Sequence, residues 1–427
     1  MLDINLFRTN PELIKENIRK KFQDEKIPLV DRIVELDIQI RGLITEGGGL
    51  RNRRNVISKK IGALMAQGKR EEAEAAKAEV GEIGKRLAEI KGLEESLPEE
   101  LRGLMLKIPN IIADCVPIGR DDSENVELRR VGEAKTPDFE VPYHVDIMEA
   151  LDGIDLDGAR RISGAGFYFL KNGVARLHSA ILSYARDFMI DRGFSYYVPP
   201  VMIRGGVVSG VMSFAETEAM MYKVEGEDLY LVGTSEHSMI GKFMDSFLDK
   251  ASLPQALTSY SPCFRKETGA HGIEERGVYR VHQFEKQEMI VVCEPEESAL
   301  WFDRLIGHSV DFFRSLDMPV RLLECCSGDL ADLKVRSVDV EAWSPRQGKY
   351  FEVGSCSNLG DAQARRLGIR VRGESGNYFA HTLNNTVAAP PRMLISFLEN
   401  NLNADGSVNI PTPLRMYMGG KEKIIKN

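Results

Sequence analysis

Paired cysteines, long apolar runs and a strong charge of either sign are all missing from this chain, and each absence excludes a class of protein. The six cysteines, at 115, 263, 293, 325, 326 and 356, show neither Cys-x-x-Cys spacing nor the density of a disulfide scaffold. Reduced thiols are expected, and no zinc site. The seven histidines are scattered and form no ligand cluster. No apolar run approaches the ~20 residues of a membrane-crossing helix, and Met1-Leu2-Asp3-Ile4-Asn5 lacks a signal-peptide pattern. A cytoplasmic protein without a membrane partner is predicted. The net charge of -8 is mild for 427 residues, so a nucleic-acid partner would have to be held locally and not by a basic surface overall.

The sequence does hold a soluble, multidomain composition, 43% hydrophobic and 28% charged. Charge is uneven: the first 110 or so residues carry a balance of about two positive, the remainder about ten negative. In that first part Leu36, Ile40, Leu43, Gly47, Leu50, Arg54, Ile57, Ile61 and Leu64 follow at steps of four and three, and Ala73, Ala76, Val80, Ile83, Leu87, Ile90 and Leu97 continue the pattern. This spacing predicts two long helices, joined at Ala66-Gln67-Gly68-Lys69, in an antiparallel coiled coil. Periodicity alone leaves open whether the hairpin binds a partner, dimerises or is structural. Gly47-Gly48-Gly49 should weaken the first helix, each glycine by up to ~1 kcal/mol relative to alanine. Arg54, at a seam position, should reach outward along its stem. Arg51, Arg53, Arg54, Lys59 and Lys60 form a basic cluster suited to phosphates or to plain solvation. Residues 108–135 read as a linker, giving domains at 1–112 and 113–427, the second an α+β domain on an antiparallel sheet flanked by helices such as 176–192.

The densest chemistry lies between Phe264 and Glu288. A glycine-containing loop, Thr268 to Gly277, separates two runs rich in β-branched and aromatic residues, so a hairpin of two long strands is expected, the second from Val278 to Val292. Strand alternation puts Arg280, His282, Phe284, Lys286 and Glu288 on one side, with Arg265 and Glu267 two apart on the partner. Arginines grip phosphate in a planar fork and stack on rings, which suits a nucleotide; a solvated charged face would show the same alternation.

Phe264-Arg265-x-Glu267, the loop and Arg280-x-x-x-Phe284 resemble motif 2 of class II aminoacyl-tRNA synthetases, and Arg-Val-His-Gln-Phe-Glu-Lys-x-Glu is similar to the seryl-tRNA synthetase family in its common, zinc-free form. Arg192-Gly193-Phe194 with Val198-Pro199-Pro200-Val201-Met202 resembles motif 1, and Asn384-Asn385-Thr386 with Arg392 opening a helical run resembles motif 3. Thr234-Ser235-Glu236, Ser327-Gly328-Asp329-Leu330 and Phe351 to Asn358 lie between them in the family's order, so the resemblance extends over nearly the whole chain.

That resemblance implies ATP-dependent activation of L-serine and its transfer to serine tRNA and, where the organism has one, selenocysteine tRNA. It further implies ATP and magnesium as cofactors, a cytoplasmic homodimer joined through motif 1, and a coiled-coil arm that grips tRNA. The roles it implies are catalytic for Arg265, Glu267, Arg280 and Arg392. It places serine against Thr234, Ser235, Glu236, Arg265, Glu288, Asn384 and Thr386. ATP falls to Arg265, Lys266, Glu267, Arg280, Val281, Phe284, Glu352, Val353, Gly354, Ser355 and Arg392, with Phe284 and Arg392 around the base. Glu352 and Ser355 would hold magnesium through oxygen. The loop with His271, Glu274, Glu275 and Arg276 would pass from ATP to the tRNA end.

The chain departs from the family pattern in four places. Ser235 stands where alanine is usual, Pro390-Pro391 precede Arg392, Gly164-Ala165-Gly166-Phe167 lacks an arginine, and Gly354 replaces a serine, which puts one phosphate contact in question. A paralogue serving a non-translational pathway and a catalytically silent RNA-binding dimer are the other readings. The retained arm stands against the first, and the intact Arg265, Glu267, Arg280, Glu288, Glu352 and Arg392 against the second.

Overall fold

A computed structural model describes residues 1–267 and 277–426, so the loop Thr268 to Gly277, Gly277 apart, falls outside the described residues. The chain divides into two compact units, Leu2–Pro109 and Asn110–Asn427 with Met1.

The first unit is helical. Short helices Ile4–Thr9 and Pro11–Lys20 precede α1 (Ile27–Ala66) and α2 (Arg70–Met105). Leu36, Leu43, Ile57 and Leu64 of α1 and Ile83, Ile90 and Leu97 of α2 are buried, a seven-residue repeat that keeps one seam of each helix against the other. Gly68, with φ +74°, turns the chain between them. Gly47–Gly49 lie within α1, which runs unbroken from Ile27 to Ala66. The neighbouring helix backs the first of the three: Gly47 is buried, an added Cβ there lying 3.5 Å from Ile90 Cγ2, whereas Gly48 and Gly49 face open space. Arg54 is exposed, as its charge requires.

The second unit is built on an eight-stranded sheet with helices over it. In chain order the strands of this sheet, with several of the helices, are β1 (Val126–Val131), α3 (Asn172–Ile190), β2 (Ser195–Tyr197), α4 (Ser235–Gly241), β3 (Gln255–Phe264), β4 (Gln283–Cys293) and α5 (Ser298–Ser315). There follow β5 (Val320–Glu324), β6 (Arg336–Ser344), β7 (Lys349–Gly360), α6 (Ala362–Leu367), β8 (His381–Ala388) and α7 (Pro390–Asn401). The strand order is β1-β5-β6-β7-β8-β4-β3-β2, antiparallel throughout except the terminal β2–β3 pair. The expected α+β architecture is therefore present, but the 108–135 segment is no plain linker. It contains β1, paired with β5, and Asn110, whose amide donates to the carbonyls of Leu333 (3.1 Å) and Leu359 (3.0 Å).

Alternation along the strands separates core from site. Met289, Val291 and Cys293 of β4 point into the main core with Leu177 and Ile181 of α3, Phe302 and Leu305 of α5, and Leu394 and Phe397 of α7. Lys286 and Glu288 face the opposite way, into a cavity. Pro390 and Pro391 occupy the first turn of α7, where a missing N–H costs nothing.

Candidate active site

The hairpin is shorter than the sequence suggests. β4 begins at Gln283, opposite Phe264, not at Val278. Arg265 and Glu267 lie past the end of β3, and Arg280 to His282 lie before β4. One further rung continues without strand geometry: Arg265 N–H donates to the His282 carbonyl at 2.9 Å, and His282 Nδ1 lies 3.0 Å from the Arg265 carbonyl. Glu267 sits at φ +50°, which turns the chain out of the sheet and ends the alternation. Arg280 and Glu267 still meet, at 3.6 Å, as an ion pair.

Arg265 is aimed by two contacts. Its Nε donates to the Gly233 carbonyl at 3.2 Å, and its guanidinium carbon lies 5.2 Å from the centre of the Phe284 ring. With Glu267, Val281, Phe284, Glu352, Val353, Gly354 and Arg392 it lines one cleft. Arg392 closes the far side. Its Nη1 donates to Glu352 Oε2 at 2.7 Å, its Nε to the Tyr279 carbonyl at 3.2 Å, and its guanidinium lies over the Tyr279 ring at 4.7 Å. Burial alone would raise the Glu352 carboxyl, but Arg392, with Lys334 and Arg265, outweighs it and holds the group below its ordinary range.

Glu352 and Ser355 are three apart, a spacing that a regular strand would send to opposite faces. A register shift makes the difference. Val340 of β6 pairs with Gly354 and Glu341 with Glu352, so Val353 is an extra residue, a bulge that returns both side chains to one face. Glu352 and Ser355 accordingly line the same cavity, with Ser337 Oγ 3.1 Å from Ser355 Oγ. Both offer oxygen, as a hard cation requires. At Gly354 an added Cβ would lie 3.0 Å from Thr386 Cβ, so Thr386 takes the space that a serine side chain would need.

The adjoining cavity, of about 320 Å³, holds Thr234, Glu236, Glu288, Asn384 and Thr386 together. Arg265, Lys286, Glu352 and Thr386 line both it and the cleft, so the two spaces meet along these four side chains. Thr386 pairs across the ladder with Glu288, and the Thr234 hydroxyl donates to Glu288 Oε2 at 3.4 Å. Lys286 forms a buried ion pair with Glu288. Burial, and then the like charge of Glu288, push the Glu236 carboxyl up to about 7, while the Gln363 amide opposes them. Burial beside Arg265 and Lys286 drives His237 down to about 3, a neutral ring at any working pH.

Two residues expected at the site line neither the cleft nor the cavity. Ser235 is fully buried and its hydroxyl accepts from Ser259 Oγ at 2.7 Å, so the extra oxygen relative to alanine is spent inside the fold. The Lys266 backbone N–H donates to the Met220 carbonyl at 2.9 Å. Conversely, Lys286, Tyr279, Lys334, Asp339 and Gln363 line the site without having been assigned a role. Strand alternation with Phe284 and Glu288 does mark Lys286. Asp339 is found only through its pairing opposite Ser355, which no local motif reveals. Burial, then the charge of Glu352, raise it to about 7.

Among the described residues Cys325, Asp329 and Asp339 bring possible ligand atoms within 4.8 Å of one another. They suit a metal poorly: burial keeps the Cys325 thiol far above its ordinary range, and Asp329 already accepts from Asn125 at 2.9 Å.

Residues 1–112 match the seryl-tRNA synthetase N-terminal domain, and residues 221–401 the tRNA synthetase class II core domain (G, H, P, S and T). The serine–tRNA ligase of Methanoculleus marisnigri is 38% identical over 427 residues, covering 99% of this chain and 100% of its own. Among solved structures, seryl-tRNA synthetase from Pyrococcus horikoshii complexed with ATP superposes with a TM-score of 0.96 at 38% identity, over 100% of both chains. The cytoplasmic serine–tRNA ligase of Naegleria fowleri in complex with AMP gives a TM-score of 0.90 at 31% identity, over 100% of this chain and 99% of its own. With both domains matched in order and the arm, the sheet and the paired cavities in place, the chain belongs to the seryl-tRNA synthetase family of class II aminoacyl-tRNA synthetases.

Proposed function

We propose that this chain activates L-serine with ATP and transfers it to serine tRNA. The observation that carries the reading is the junction of the arginine-lined cleft and the carboxylate-lined cavity along Arg265, Lys286, Glu352 and Thr386. A triphosphate in the first and an amino acid in the second would meet there. The serine carboxylate attacks the α-phosphorus, the α–β phosphoanhydride bond breaks, and pyrophosphate leaves. The tRNA terminal hydroxyl then takes the acyl group and AMP departs. Neither step needs a protein nucleophile, only positioning and charge stabilisation.

In this reading Arg265 orients the α-phosphate and the attacking carboxylate, Arg280 and Arg392 take further phosphate charge, and Phe284 and Arg392 enclose the base. Glu236 and Glu288 receive the ammonium, while Thr234, Asn384 and Thr386 offer polar partners to the small side chain. Glu352 and Ser355 would hold magnesium, a hard cation that would offset the charge of the phosphates. Residues 1–112 serve as the tRNA-binding domain and 113–427 as the catalytic domain. Pairing through the motif 1 region as a homodimer, cytoplasmic residence and use of selenocysteine tRNA belong to the same proposal. Among the described residues no helix is long and apolar enough to cross a membrane.

The test is charging of purified serine tRNA alongside serine-dependent pyrophosphate exchange. Exchange together with charging is expected; exchange without charging would point instead to a non-translational ligase, and neither to a silent paralogue. The arm sharpens it. Arg51 and Arg53 are engaged with Glu94 (3.3 Å) and Glu79 across the helix pair, while Arg54, Lys59 and Lys60 are exposed. Replacing Arg54, Lys59 and Lys60 by glutamate should lower charging about tenfold or more at low salt and leave exchange unchanged. Loss of exchange as well would show that the arm acts otherwise.

Glu236 gives a pH dependence. Its folded-state value of about 7 lies above the ordinary 4.5, so the folded chain holds a proton that the unfolded chain has released. Stability from this group is present below about 4.5, declines as pH rises to about 7, and is flat above. Ammonium binding needs the ionised form. The KM for serine should therefore climb by up to about tenfold per pH unit below the midpoint, with the KM for ATP unmoved.

A further inference from the structure

Glu236 is held by a chain of buried side chains that lies outside the family motifs noted above. Gln363, on α6, is 1% exposed, and its Nε2 donates to Glu236 Oε1 at 2.7 Å. Its Oε1 accepts from the hydroxyl of Thr382 on β8 at 2.6 Å, and Thr382 is fully buried. The Glu236 carboxylate, which when ionised can only accept, sets the orientation of the amide, and the Thr382 hydroxyl holds the amide oxygen in place. Turning the amide over would set its oxygen against the Glu236 carboxylate, acceptor against acceptor, although the Thr382 hydroxyl could accept from the NH2. The remaining N–H of Gln363 reaches the Val211 carbonyl at 3.5 Å, on the segment whose Val211, Met212 and Glu216 wall the same cavity.

We infer that Gln363 is a positioning residue for serine binding: the Thr382 hydroxyl anchors its amide, and the amide fixes the Glu236 carboxylate in the orientation that receives the substrate ammonium. The inference rests on the reading that Glu236 belongs to the serine pocket. The charges facing Glu236 are Glu288, which opposes its ionisation, and Lys286 and Lys334, which favour it, and burial outweighs all three. Among the described residues Gln363 is the one neutral donor on that carboxyl, and it also favours the ionised form. Without it the carboxylate loses both its aim and part of its charge at neutral pH.

The test compares Gln363→Met, close in shape but without a donor, with Thr382→Val and Glu236→Gln in the full-length enzyme. Exchange is measured against serine and ATP across pH 6 to 9. Gln363→Met should raise the KM for serine roughly tenfold to a hundredfold, the loss of one hydrogen bond to a charged group, and move the acid limb of the serine profile to higher pH. The KM for ATP should stay constant. Thr382→Val should move the same limb in the same direction by less, and it carries the test if Gln363→Met does not fold. Serine KM and pH midpoint unchanged in these variants, with Glu236→Gln impaired, would overturn the inference and leave the pocket standing. Serine and ATP KM rising together with no shift of the midpoint would show a structural role and overturn it too. Glu236→Gln binding serine normally would instead remove the pocket assignment on which it rests.

Discussion

Replacing Arg265 by lysine is expected to lower serine-dependent pyrophosphate exchange by roughly 10²- to 10³-fold, the loss seen when one preorganised donor to developing charge is removed. The charge survives this substitution, so the effect isolates geometry. Arg265 spends Nε on the Gly233 carbonyl and lies against Phe284, which leaves its two terminal nitrogens as a planar fork toward the junction of cleft and cavity. A lysine ammonium offers neither the fork nor the ring contact. Single-turnover formation of the adenylate is the decisive readout. A slower step at saturating serine and ATP is expected, and an unchanged step with a raised KM alone would reduce Arg265 to a binding group.

The second large effect belongs to Glu288. It is 1% exposed, paired with Lys286 at 7%, and approached by the Thr234 hydroxyl. Glu288→Gln keeps the shape and removes the charge, and kcat/KM for serine should fall by roughly 10²- to 10³-fold, the few kcal/mol of a broken buried charge pair. Glu288→Ala should add a stability loss of ~3–5 kcal/mol by stranding the Lys286 ammonium. Introducing Lys286→Met into the alanine variant should then restore much of the stability measured by denaturant unfolding while exchange stays lost. Exchange restored with stability would show that Glu288 supports the fold and does not bind substrate.

These expectations mix what local sequence shows with what only the fold shows. The arm was legible because a seven-residue repeat has one physical solution, a seam between helices, and Leu36, Leu43, Ile57 and Leu64 are indeed buried. The weakness read from Gly47–Gly49 is a propensity argument, and packing against Ile90 supports the helix at Gly47 alone of the three. The grouping of Phe284, Lys286 and Glu288 followed from period two and holds within β4. It failed for Arg280 because the strand ends at Gln283, and strand ends are set by hydrogen-bond partners that composition does not reveal. Glu352 with Ser355 came from the resemblance alone. The bulge at Val353 that lets residues three apart share a face depends on the neighbouring strand. For the same reason Asp339 and Gln363 carried no local signal: each meets the site through a partner far away in sequence, Ser355 for one and Thr382 with Glu236 for the other.

The most direct measurement is ATP–pyrophosphate exchange by the purified chain with serine, alanine and threonine compared at equal concentrations. Serine should drive exchange, and alanine should fall behind by roughly 10⁴-fold, because a pocket built to hydrogen-bond a hydroxyl leaves buried partners unpaired when it is missing. Threonine, excluded only by the space for one methyl, should trail by a smaller factor of about 10- to 200-fold. Exchange driven equally by alanine, or by none of the three, would contradict the assignment of the Thr234, Glu236, Glu288 and Thr386 cavity to serine.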